Sequence, residues 1–142
     1  MGQVYEEITL KNMGDVSAVN RGYITEPKIR ETTVRALVDT GAITLVINET
    51  MRKQLGLEIQ EQNEATANQR FDGNDTKAVC SLTEPVEVHW KDRSTVCQAL
   101  VTSEKGGVLL GAIPLEGMDL MVNPVEQKLV GVHGDKAVYL VM

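Results

Sequence analysis

Asp39-Thr40-Gly41-Ala42 follows directly on an apolar, strand-like run, Val34-Arg35-Ala36-Leu37-Val38. A carboxylate in that position is poor core material, since burying its charge is costly unless hydrogen bonds or a shared proton compensate. The residues around it suit acid–base work instead. Thr40 offers a hydroxyl that can orient the carboxylate, and Gly41 lets backbone and substrate approach closely. Asp39 is therefore the candidate catalytic residue, with Thr40, Gly41 and Ala42 as its support. The bland alternative is a plain turn at the end of a strand.

A second segment, Val108-Leu109-Leu110-Gly111, runs into Ala112-Ile113-Pro114-Leu115-Glu116-Gly117-Met118-Asp119-Leu120 and then Met121-Val122-Asn123-Pro124. Together the two segments resemble the retroviral-type (retropepsin-like) aspartic proteases, and more closely their small bacterial members. In these a strand ending in Asp-Thr-Gly-Ala is followed by an apolar-apolar-Gly strand that leads into a short helix. The resemblance spans residues 4–142 and is strongest at 34–57 and 106–130. It implies a mostly β fold: a single retropepsin-like acid-protease barrel over residues 1–142, with one or two short helices. Leu110 and Gly111 of the second motif would pack beneath the catalytic loop.

The activity this implies is aspartic endopeptidase. Peptide hydrolysis by carboxyl groups needs one to take a proton from water while another gives one to the carbonyl oxygen, so two carboxyls share a proton across a water. The chain has one Asp-Thr-Gly and no Asp-Ser-Gly, and Asp72-Gly73 and Gly134-Asp135 lack a preceding apolar strand. A two-fold homodimer would supply the missing carboxyl by bringing Asp39 of each subunit to the axis. By the same resemblance Thr40 would link the subunits beneath the aspartates, and Gly41 would contact the substrate backbone. The stretch 64–78, with Phe71, Asp72 and Gly73 at its middle, lies where the family carries a flap that closes over substrate and excludes water. Its polar, turn-rich tip suits a hairpin, though it lacks the glycine-rich tip of retroviral flaps, and an ordinary surface loop is the alternative.

Two departures from the retroviral pattern stand out. Retroviral enzymes carry acidic residues after Asp-Thr-Gly-Ala and an arginine after the second glycine, and those groups pair. Here Ile43-Thr44 and Ala112 occupy the positions. Losing both partners avoids a buried unpaired charge, but a dimer would need other contacts. The apolar end Ala137-Val138-Tyr139-Leu140-Val141-Met142 could interleave into a shared sheet, as retroviral chain ends do, or pair within its own subunit. A catalytically silent dimerisation or peptide-binding module on the same fold is the rival reading.

Elements to position these motifs are legible along the chain. Val4 to Leu10 reads as an opening strand, and Gly14-Asp15 and Asn20-Arg21-Gly22 as a loop or loose hairpin. After the catalytic turn, Leu45-Val46-Ile47 is a short strand; Asn48 caps a helix over 49–55, and Gly56 closes it. Leu82 to Trp90 and Ser94 to Thr102 read as a hairpin about a Lys91-Asp92-Arg93 turn, with Pro85 placing the first strand near an edge. Pro114 suits the first turn of a helix, Asn123-Pro124 starts a turn, and Leu129-Val130 begins a further strand before His133-Gly134-Asp135.

Composition agrees with one domain. A chain of 142 residues buries roughly two-thirds of its unfolded surface on folding. The five aromatic residues are Tyr5, Tyr23, Phe71, Trp90 and Tyr139, so the core must be aliphatic. A net charge of −6 with scattered Lys and Arg argues against a nucleic-acid partner. With no basic-then-apolar leader and no apolar run long enough to span a bilayer, the expectation is a cytoplasmic protein without membrane association. Cys80 and Cys97 are placed on neighbouring strands, where they could face each other, and reduced thiols are expected in that compartment. No metal or other cofactor is expected, since His89 and His133 have no ligand cluster. Asp119 is read as solvated or helix-capping, His89 and His133 as strand-face and turn residues, and Met118, Met121 and Met142 as core or interface filling. Ser103-Glu104-Lys105-Gly106-Gly107 lacks the ending of a phosphate loop.

Overall fold

The computed structural model describes residues 3–66, 77–103 and 106–135. The first strand, β1 (Tyr5–Asn12), turns Ile8 and Leu10 into the core and pairs antiparallel with β2 (Glu31–Val38), Ile8 opposite Val34. Between them the expected loop is a helix, α1 (Met13–Asn20), followed by a single 3-10 turn at Glu26–Lys28. No residue of α1 is buried, so no apolar period could announce it. Capping carries it instead: the Asn12 side chain accepts from the Asp15 amide at 3.1 Å. Asp15 in turn receives Arg30 Nε and Nη2, each at 2.9 Å. These bonds from the guanidinium hold the Asp15 carboxyl below its usual range.

From β3 to Gly56 the chain follows the sequence reading closely. β3 (Leu45–Asn48) leads into α2 (Glu49–Leu55); Asn48 accepts from the Met51 amide at 2.8 Å, and Gly56 closes the helix at φ 65°. That left-handed conformation suits glycine, and the Arg30 guanidinium lies where a Cβ would project. Then follow β4 (Ile59–Thr66), β5 (Lys77–Thr83), β6 (Val86–Trp90), β7 (Arg93–Cys97), β8 (Ala99–Thr102), β9 (Leu109–Leu110), α3 (Ala112–Gly117), β10 (Leu120–Asn123) and β11 (Lys128–Gly131).

Among the described residues nine strands form one sheet in the order β4-β5-β8-β3-β9-β2-β1-β6-β7, and β10 and β11 form a separate hairpin. The run 82–90 is thus two strands, broken at Glu84-Pro85, and 94–102 is likewise split at Gln98. β6 lies between β1 and β7, the last strand in that order, so Pro85 is near the end of the sheet as expected; the proline precedes β6, where its missing N–H costs no ladder bond. Cys80 and Cys97 are not on neighbouring strands, because β5 pairs with β4 and β8 whereas β7 pairs with β6. Cys97 is buried as a free thiol.

The core is aliphatic, built on Ile8, Leu10, Leu45, Ile47, Leu55, Leu57, Val86, Val88 and Leu110, with Met118 fully buried and Trp90 at its margin. Tyr5 and Tyr23 remain exposed. The apolar end from Ala137 to Met142 lies outside the described residues. Among those described, no helix is long and apolar enough to cross a membrane.

Candidate active site

β2 delivers Asp39 to the surface, and β9 fixes it there. β9 lies between β2 and β3, parallel to the first (Leu37 opposite Leu109, Val38 opposite Leu110) and antiparallel to the second (Val46 opposite Leu109). The strands on either side of the Asp-Thr-Gly turn are therefore held apart by one strand threaded between them. The Asp39 amide donates to the Leu110 carbonyl at 3.0 Å, and the Leu37 amide to Val108 at 2.9 Å. The turn closes with the Ala42 amide on the Asp39 carbonyl at 3.1 Å. The Gly41 amide donates to Asp39 Oδ1 at 2.9 Å, which orients the carboxylate.

The second motif is hydrogen-bonded directly to this turn. The Ala112 amide donates to the Ala42 carbonyl at 2.8 Å, and the Ile113 amide to the Ile43 carbonyl at 3.0 Å. Gly111 makes the approach possible through space, not through an unusual backbone, since its φ is −93°. A Cβ there would sit 2.2 Å from the Thr44 carbonyl oxygen and 2.6 Å from that of Ala42. Thr44 is itself buried, and its hydroxyl donates to the Gln98 carbonyl at 2.9 Å. Burial pushes the neighbouring Cys97 thiol up, against smaller opposing contributions from the Thr44 side chain and the Leu45 backbone.

Asp39 and Thr40 border a cavity of about 770 Å³ whose other walls include Val4, Leu115, Glu116 and Met121. The lining is mostly apolar, with Glu116 exposed on α3. Asp39, Thr40, Gly41, Ala42, Leu110 and Gly111 are thus brought together. The flap candidates Phe71, Asp72 and Gly73 lie outside the described residues. The strands leading toward them, β4 and β5, are paired as far as Thr66 opposite Lys77. Among the described residues, no cluster of three or more His, Cys, Asp or Glu is placed to hold a metal ion.

Asp119 departs from its expected role as a solvated or capping residue. It is buried, with φ 58°, and its carboxylate lies 2.7 Å from His133 Nδ1 and 3.8 Å from Arg93 Nη1. Arg93, assigned to a turn from sequence, is a buried strand residue. A signal existed for it: Arg93 shares the face of β7 with the inward-pointing Cys97, two pleats on.

A strand ending in Asp-Thr-Gly, with an apolar-apolar-Gly strand threaded beneath it in a mostly β domain, defines a retropepsin-like aspartic protease fold. The family model described as "gag-polyprotein putative aspartyl protease" matches residues 25–124, and the chain belongs to that family. Among solved structures it is similar to the retroviral protease-like domain of Ddi1 from Leishmania major, at 13% identity and a TM-score of 0.52, over 92% of this chain and 88% of that one. That likeness supports the same fold. The chain is also similar to EIAV protease complexed with the inhibitor HBY-793, at 18% identity and a TM-score of 0.46, over 78% of this chain and 82% of that one. A retropepsin-like aspartic protease from Rickettsia conorii is similar at 16% identity and a TM-score of 0.43, over 86% of this chain and 88% of that one. No curated protein matches the chain.

Proposed function

We propose that this protein is a homodimeric aspartic endopeptidase in which Asp39 of each subunit meets its counterpart at a two-fold axis. The observation that carries the reading is the placement of Asp39. It stands at the end of β2 on the wall of a large cavity, fixed by the Leu110 carbonyl and oriented by the Gly41 amide. A chain with one Asp-Thr-Gly holds half of the pair that the chemistry needs.

In the dimer one Asp39 is ionised and the other protonated. The ionised carboxylate takes a proton from a water held between them, and the water oxygen attacks the peptide carbonyl carbon. The protonated carboxyl gives its proton to the carbonyl oxygen, forming a tetrahedral diol. Collapse of that diol breaks the C–N bond: a carboxyl proton passes to the leaving nitrogen, and a diol proton returns to the pair. Gly41, Ala42 and the flap would hold the substrate backbone as an extended strand across the site. Soluble peptides or proteins in the cytoplasm are the proposed substrates.

Subunit mixing tests the shared site. Asp39→Asn subunits are exchanged into wild-type protein in rising proportion, and cleavage of a peptide library is measured. If each site needs two aspartates, activity falls as the square of the wild-type fraction, to about one quarter at equal proportions. A fall in simple proportion to the wild-type fraction would show that each subunit acts alone. Dimers that never cleave would leave a silent peptide-binding or dimerisation module.

A further inference from the structure

We infer that Arg93, Asp119 and His133 are positioning residues that set the wall of the Asp39 cavity by fixing both feet of the β10–β11 hairpin. The inference rests on the endopeptidase reading for its functional consequence and on geometry for everything else.

Arg93 sits on β7, the last of the described strands at that end of the large sheet, and its guanidinium reaches both ends of the small one. Nη1 donates to the carbonyls of Met118, at 3.0 Å, and Asp119, at 2.8 Å; Nη2 donates to that of Gly134. The hairpin lies between those points, with Leu120 opposite Gly131, and its base is closed by the Val132 amide on the Asp119 carbonyl at 2.9 Å. Packing at the second foot is tight enough that a Cβ on Gly131 would lie 1.9 Å from the Gly134 carbonyl oxygen and 2.4 Å from Arg93 Nη2.

Asp119 provides the opposing charge in this buried corner. Its side chain is 7% exposed and that of Arg93 is 4% exposed, so the two opposite charges share a poorly solvated place. His133, with its side chain about half exposed, donates from Nδ1 to the carboxylate and so ties the second foot to the first. The tied hairpin carries Leu120, Met121, Val122 and Pro124, all of which border the cavity that Asp39 faces. Among the described residues the small sheet shares no strand pairing with the large one. Leu120 and Leu129 pack the hairpin into the core, and Arg93 and its partners add a polar side-chain bridge that fixes its two feet.

The test compares wild type, His133→Ala and His133→Asn, because His133 is exposed enough to change without unfolding the chain. Asparagine places an amide N–H near the position of Nδ1. Two readouts are taken: amide hydrogen exchange by residue, and kcat and KM on a cleaved peptide. In His133→Ala, exchange at 120–123 and 128–131 should rise about tenfold or more with that of β6 unchanged. KM should rise several-fold with kcat within about a factor of two, and His133→Asn should recover most of both changes. Unchanged exchange in the hairpin, or an increase spread equally over β6, would overturn the inference. If wild type cleaves nothing, the endopeptidase reading fails, and hydrogen exchange alone decides the clamp.

Discussion

The amide of Asp39 and the carbonyl of Leu110 are joined by a 3.0 Å hydrogen bond. This one contact ties the two diagnostic segments together, since it makes the apolar-apolar-Gly strand the backbone support of Asp39. The same support continues through Ala112 on Ala42 and Ile113 on Ile43, so the loop is held by main chain along its length. Main-chain support fixes the residue, and the Gly41 amide orients its carboxylate.

Gly111→Ala should therefore damage activity more than stability. The new Cβ meets two backbone oxygens, so the loop or β9 has to shift. Overpacking of this kind costs about 1–3 kcal/mol. A displacement of the order of 1 Å at the catalytic loop can lower kcat/KM on the order of 10²-fold. Urea unfolding and peptide cleavage on the same preparation separate the two effects.

Asn48 serves two elements at once. Its oxygen caps α2 through the Met51 amide, and its Nδ2 donates to the Gly106 carbonyl at 2.7 Å, tying the helix start to the approach to β9. Asn48→Ala should lose about 1–3 kcal/mol, combining a lost cap with a carbonyl that loses its partner. Asn48→Asp keeps the cap and should fall between Ala and wild type in denaturant unfolding.

Cys97 gives a pH dependence with a definite sign. Its pKa in the folded chain lies above the ordinary 9.0, chiefly because burial disfavours the thiolate. The folded state therefore holds the proton more tightly than the unfolded state. The resulting stability is fully present below the unfolded pKa and is lost as pH rises above about 9 toward the folded value. Stability measured from pH 8 to 10.5 should decline less steeply in Cys97→Ser than in wild type. In the native protein the thiol should also resist alkylation at neutral pH.

Legibility in the sequence followed the physics of each element. The Asp-Thr-Gly turn, β3, and α2 with its Asn48 cap and Gly56 stop rest on local signals, and the structure places each where those signals do. α1 escaped because it buries nothing and depends on side-chain bonds from Asn12 and on Arg30 gripping Asp15. The splitting of 82–90 and 94–102 escaped because long-range pairing decides it: β5 turns to β8, while β6 turns to β1. Asp119 looked like a solvated helix-end residue because its partners, Arg93 and His133, are distant in sequence. Short-range patterns thus located the Asp-Thr-Gly loop and its support, and long-range pairing built the cavity wall beside them.

The most direct test of the central claim is cleavage of a diverse peptide library by wild type and Asp39→Asn from acidic to neutral pH, with mass in solution measured in parallel. The account predicts cleavage by a wild-type dimer and its complete loss in an Asp39→Asn protein that keeps the same fold and mass. Cleavage that survives in Asp39→Asn, or that comes from a wild-type monomer, would contradict it.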